Sequence, residues 1–86
     1  MKDYYQILGV EEEASGEEIE ARWAELMAQY RSRLHKGEGE AAEEIKEVKE
    51  AYEVLTDPSK RMEYDFERIL KRSVLKIHQR RKQRYD

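Results

Sequence analysis

Residues 19–55, IEARWAELMAQYRSRLHKGEGEAAEEIKEVKEAYEVL, decide the fold. In the first half, Trp23, Leu26, Met27 and Tyr30 stand at offsets of 4, 7, 8 and 11 from Ile19, one face of an α-helix. In the second half, Val48, Tyr52 and Leu55 follow Ile45 at offsets of 3, 7 and 10, again one face. Neither stripe can be buried by its own helix, and the segment Arg31–Glu40 between the runs is too short for a domain of its own. The two runs are expected to fold back on each other as an antiparallel helical hairpin. Arg31–Glu40 then sits at the tip of a rigid two-helix arm.

Outward from the hairpin, local signals punctuate the chain. Asp3 is placed to cap a short helix through Tyr4, Tyr5, Gln6, Ile7 and Leu8, and Gly9 supplies the left-handed position that ends it. At about two turns this helix must lean on the hairpin, through Leu8 and Val10. Ser15-Gly16-Glu17-Glu18 reads as a capping box for the second helix, and Glu18 stands four residues before Arg22, a favourable surface pair. That helix is expected to reach about Arg33, followed by a turn from Leu34 to Glu40 containing Gly37 and Gly39. A third helix is expected from Ala41 to Thr56. Asp57 and Pro58 serve as the N-cap and first residue of a fourth. There Ile69, Leu70, Val74 and Ile77 follow Phe66 at offsets of 3, 4, 8 and 11, so the helix should run to about Arg80 and fray through Arg81–Arg84.

Composition narrows the function classes. The chain has 86 residues, 43% charged, with one proline and no cysteine. This fits one small all-α domain with no disulfide framework or thiolate metal site, suited to a reducing compartment. No apolar run approaches the roughly 20 residues that span a bilayer, and Met1-Lys2-Asp3 does not begin an apolar signal, so a cytoplasmic protein is expected. Charge is divided: residues 1–65 hold nine Lys and Arg against eighteen Asp and Glu, net −9, and residues 66–86 hold eight against two, net +6. Such asymmetry marks either a solvated tail or one with an anionic partner. His35 and His78 stand alone, without metal-ligand spacing, and no nucleophile triad, phosphate-cradling loop or isolated carboxylate pair is present. The reading is a binding module rather than an enzyme, with no cofactor and no metal.

The assembled motifs resemble those of the J-domain, the Hsp70 co-chaperone module of DnaJ-type proteins. Asp3-Tyr4-Tyr5-Gln6-Ile7-Leu8-Gly9-Val10 is similar to its opening. Ala14-Ser15 with Glu18-Ile19 resembles its second-helix start. Glu50-Ala51-Tyr52-Glu53-Val54-Leu55-Thr56-Asp57-Pro58-Ser59-Lys60-Arg61 with Tyr64-Asp65 resembles its third and fourth helices. Three blocks in order over residues 3–65 imply a four-helix J-like fold, here assigned to residues 1–67, with residues 68–86 as a basic amphipathic extension and tail.

One departure bears on function. The resemblance implies a tyrosine ending the second helix, followed by the His-Pro-Asp signature that engages the Hsp70 ATPase domain and stimulates hydrolysis. Here Tyr30 is followed by Arg31-Ser32-Arg33, and the one proline, Pro58, is already used at a helix start. The implied aspartate would meet a basic group, and Arg33 reverses that charge. The family also implies a basic second-helix face, whereas residues 17–26 hold Glu17, Glu18, Glu20 and Glu25 against Arg22. Arg22 stands where the family has a small apolar residue, its stem lying along the hairpin with the guanidinium in water. Trp23 occupies the position of an exposed family aromatic.

The candidate partner-binding set is therefore Arg22, Trp23, Tyr30, Arg31, Ser32 and Arg33. Against it stand plainer readings: a solvated helix end for Arg31-Ser32-Arg33, a core role for Trp23, and structural roles for Tyr4, Tyr5, Tyr52 and Tyr64. The second candidate surface is the basic tail, Arg68, Lys71, Arg72, Lys76, Arg80, Arg81, Lys82 and Arg84. Its plain reading is a helix whose apolar face packs on the hairpin while its cations complement the acidic body. The expected function is a chaperone interaction module that does not stimulate an Hsp70 in the usual way, acting on an Hsp70 or another J-protein. The alternative is a J-fold scaffold whose basic helix binds nucleic acid, an anionic membrane or another protein.

Overall fold

Each helix begins and ends where a side chain or a glycine satisfies its orphan backbone groups. In the computed structural model, which describes the backbone of residues 2–84 and the side chains of residues 2–73, four helices follow in order. They are α1 (Tyr4–Leu8), α2 (Gly16–His35), α3 (Glu40–Thr56) and α4 (Pro58–Arg84). Asp3 Oδ1 accepts from the Gln6 N–H at 3.1 Å to start α1, and Gly9 at φ +71° ends it. Ser15 Oγ accepts from the Glu18 N–H at 3.1 Å to start α2. Glu18 returns no bond to the Ser15 N–H among the described residues, so half of the expected capping box is made. Asp57 Oδ1 accepts from the N–H groups of Ser59 and Lys60, and Pro58 opens α4 as expected.

Helix α2 runs two residues beyond the expected Arg33. Its stop is Gly37, whose φ of +86° permits the Glu38 N–H to reach the Arg33 carbonyl and the Gly37 N–H to reach the Leu34 carbonyl. This is the Schellman arrangement, and it needs a left-handed residue that Leu34 to Lys36 do not provide. The turn is thereby confined to Lys36–Gly39.

The hairpin forms as expected. Trp23 stacks on Tyr52 at 4.3 Å between centroids, and Arg33 bonds Glu44, so one helix ascends as the other descends. Ile19, Leu26, Val48, Ala51 and Leu55 are buried between them, while Trp23, Met27, Tyr30, Ile45 and Tyr52 form the half-buried edges. Burying an Ile or Leu side chain is worth roughly 1.5–3 kcal/mol. Helix α1 lays Tyr5 and Leu8 onto it, and Ala14 closes the end.

Helix α4 differs from expectation. Its continuous register is right, and it continues to Arg84, past the expected Arg80, with no Gly or Pro after Pro58 to stop it. Its apolar stripe, however, does not pack on the hairpin: Phe66, Ile69 and Leu70 are exposed to 61%, 59% and 47%. Val74 and Ile77 lie outside the described side chains. The docking face is instead Arg61, Tyr64 and Arg68, spaced by 3 and 4 on the other side of the helix. The Tyr64 hydroxyl accepts from the Tyr4 N–H at 2.9 Å and donates to the Lys2 carbonyl at 2.6 Å, while the Tyr5 hydroxyl donates to Asp65 at 2.6 Å. Arg61 donates to the Glu12 and Ala14 carbonyls at 3.1 and 2.7 Å and to the Tyr5 hydroxyl at 3.2 Å. Hydrogen bonds and aromatic rings, rather than the aliphatic stripe, select the face that docks.

Candidate functional site

The hairpin tip stays helical through Leu34 and His35, where the turn was expected to begin. Residues 31–35 continue α2, so Arg31 and Ser32 project from its last turns and are exposed. Arg33 turns back onto the chain instead. Its Nε donates to Glu38 at 3.3 Å, its Nη1 bonds Glu44 across the turn, and the guanidinium lies 5.7 Å from the Tyr30 ring centre. The hydrogen bond to Glu44, ahead of that to Glu38, raises the Arg33 pKa further, so the guanidinium stays charged. The tip is stiffened from three sides: the Schellman turn, the α2–α3 ion pair and the Tyr30 contact.

Along α2 the remaining candidates separate. Arg22 does not pair with Glu18, nor does it lie free in water. Its Nε donates to the Leu8 carbonyl at 3.0 Å and its Nη1 to Glu25 at 3.0 Å. The Leu8 carbonyl is an orphan at the C-terminus of α1, and Arg22 caps it. A Cβ at Gly9 would meet the Arg22 Nε at 3.3 Å, so glycine there serves both the left-handed turn and this approach. Trp23 is half-buried on Tyr52, whose hydroxyl reaches Glu20 at 3.4 Å. Glu17, Glu18, Glu20 and Glu25 are all exposed, so this side of the arm is acidic.

The basic tail begins as an internal clasp. Arg68, with a side chain only 14% exposed, bonds Glu12 at 2.7 Å, approaches Asp3 at 3.8 Å, and lies 5.1 and 5.6 Å from the ring centres of Tyr5 and Tyr64. Burial works against the Arg68 charge, and Glu12 and Asp3 outweigh it and raise its pKa. Arg72 adds a second bond to Glu12 at 3.2 Å. Lys71 is exposed, and the side chains of Lys76, Arg80, Arg81, Lys82 and Arg84 lie outside the described residues.

The hydrogen bond from Arg72, followed by the charge of Arg68, holds the Glu12 carboxyl below the usual range. A carboxyl depressed on folding stabilises the fold above its unfolded pKa and loses that contribution as pH falls through its folded one. The stability gap between the native chain and Glu12→Gln is therefore expected to be constant near neutrality and to close on acidification through the carboxylate range. Urea titrations across that range measure it, and a gap that widens in acid would contradict the clasp.

Arg61 is the residue that sequence reasoning missed. The signal was present in the 3 and 4 spacing of Arg61, Tyr64 and Arg68, but that spacing does not name the carbonyls Arg61 serves. Among the described residues no group of His, Asp or Glu is placed to hold a metal, and no helix is long and apolar enough to cross a membrane.

Four helices around a buried α2–α3 seam, with α1 and α4 tied together by tyrosines, correspond to a family model described as "DnaJ domain", which matches residues 3–65. The chain belongs to the DnaJ-domain family. "Chaperone protein DnaJ" of Caldicellulosiruptor saccharolyticus is 52% identical over 64 residues, 74% of this chain and 16% of that protein. The proteins of the same name from Oceanobacillus iheyensis and Carboxydothermus hydrogenoformans are 50% and 48% identical over 64 residues, in each case 74% of this chain and 17% of theirs. The chain thus spans less than a fifth of the length of these relatives. In this chain Arg31-Ser32-Arg33 lie within a continuous α2, with Arg33 ion-paired to Glu38 and Glu44.

Proposed function

We propose that this chain is a DnaJ-type co-chaperone interaction module, a binding domain rather than an enzyme, that regulates an Hsp70/J-protein system without triggering ATP hydrolysis. The observation that carries this reading is the helical, clasped tip. Arg33 is held by Glu38 and Glu44, so neither an aspartate nor a flexible loop is available where the family signature would act.

The acidic side of α2 favours one partner over another. Glu17, Glu18, Glu20 and Glu25 would repel the acidic Hsp70 surface that a basic second helix meets. They complement that basic helix itself, so another J-protein is the better electrostatic fit. Arg31 and Ser32 project beside this face, and the Trp23–Tyr52 stack offers an aromatic platform next to it.

A single-turnover Hsp70 ATPase assay tests the reading. The chain alone is expected to leave the basal rate unchanged. Acceleration comparable to that of an intact J-domain, at equal amount, would end the proposal.

A further inference from the structure

The face of α4 turned away from the body carries Met62, Phe66, Ile69 and Leu70, exposed to 68%, 61%, 59% and 47%. Their spacing of 4, 3 and 1 places them on one stripe of the helix. A contiguous apolar stripe of four large side chains on a domain of this size is a surface built to be covered. Helix α4 has 27 residues, or roughly 40 Å at 1.5 Å per residue, ample for a helix-on-helix contact.

Charge says what covers it. Glu63 and Glu67 flank the stripe, and Lys60 and Lys71 lie further round the helix, all exposed. An anionic membrane would meet those glutamates and the acidic body along with the cations, which argues against a lipid surface. A second copy of the chain is matched when it lies antiparallel. Pairing residues 62–70 with themselves in opposite directions puts the two-fold axis near Phe66. Each tail, part of the 66–86 segment of net +6, then runs toward the acidic portion of the other copy, net −9 over residues 1–65. Parallel pairing would instead set one tail against the other, cation on cation.

We propose that this face of α4 is the interface of an antiparallel homodimer. Its apolar contact uses neither the hairpin tip nor the acidic side of α2, so the dimer does not rest on the function proposed above. The two-fold pairing presents two J-like arms per assembly.

Sedimentation equilibrium on the intact chain, from micromolar to submillimolar concentration, tests it. A monomer–dimer equilibrium weakened by salt is expected. Phe66→Glu combined with Ile69→Glu should weaken it by at least about tenfold, as for loss of central anchors. Circular dichroism, and the melting temperature at concentrations where the native chain is monomeric, should not change, since both side chains are exposed. The chain has no cysteine, so Met62→Cys and Leu70→Cys chains report orientation. Mixed under oxidising conditions, they should give disulfides between unlike chains in preference to like. A monomer at every concentration, undiminished association of the double variant, or a preference for like-chain disulfides would overturn the proposal. So would a monomeric chain that sediments with phosphatidylserine vesicles through this face.

Discussion

Restoring the family signature, by Arg31→His, Ser32→Pro and Arg33→Asp together, is expected to end α2 near Tyr30 and to raise Hsp70 stimulation above that of the native chain. Proline inside a helix loses its donor and clashes with the preceding turn, costing about 3 kcal/mol if the helix is kept. Unwinding residues 31–35 costs less than that, because the side chains of Arg31, Ser32, Leu34 and His35 are exposed and give up little buried surface. Asp at position 33 also removes the Glu38 and Glu44 ion pairs and sets like charges together. The tip should therefore change from clasped helix to open loop. Hydrogen exchange of residues 31–35 checks the first part, with protection lost there and kept at Ile19–Leu26. Stimulation is expected to stay below that of an intact J-domain because the acidic α2 face remains. A variant whose α2 exchange pattern is unchanged would contradict the account of the tip.

The second large effect is on stability. Arg61→Ala removes the donor to the Ala14 and Glu12 carbonyls and to the Tyr5 hydroxyl, and the cation 5.5 Å from the Tyr5 ring centre. Charge-assisted hydrogen bonds contribute about 1.5–3 kcal/mol, and a carbonyl left without a donor adds its own desolvation cost. The expected loss is about 2–4 kcal/mol, among the larger effects of a single substitution. For a domain of this size it lowers the melting temperature by roughly 10–20 °C. Arg61→Lys should recover little, because one ammonium cannot serve three acceptors in a fixed fork. Urea denaturation measures both variants, and a loss below about 0.5 kcal/mol for Arg61→Ala would mean that the α4 clasp rests elsewhere.

The hairpin was legible because Ile19 to Tyr30 and Ile45 to Leu55 state their helical period directly, and because Asp3, Ser15 and Asp57 mark helix starts within a few residues of the groups they cap. What escaped was decided at longer range. Arg22 resembled a surface partner for Glu18, but its Leu8 carbonyl lies fourteen residues away in sequence and becomes available only when α1 docks. Arg33 resembled a free cation at a helix end, and its second partner, Glu44, is across the turn. The end of α2 was placed short because a cluster of turn-forming residues does not say which one takes the left-handed conformation; Gly37 does. In α4 the apolar period was correct and its orientation was not. Periodicity gives a face, whereas the face that docks was settled by the bonds of Arg61, Tyr64 and Arg68 with the N-terminal segment and α1–α2 connection.

These details bear on function together. Arg22, Arg33, Arg61, Arg68 and Arg72 are all engaged within the chain, so formal charge overstates the cationic surface offered to partners. Exposed on the hairpin are, among others, an acidic side of α2, the tip residues Arg31 and Ser32, and beside them a half-buried aromatic stack.

Regulation without triggering is tested by a single-turnover Hsp70 ATPase measurement driven by an intact J-domain, with this chain titrated in. The chain alone is expected to leave the rate at its basal value and, added to the J-domain, to lower the stimulated rate to a plateau. A stimulated rate that stays unchanged at saturating chain, or rises with it, would contradict the claim that this DnaJ-domain chain regulates the system without triggering it.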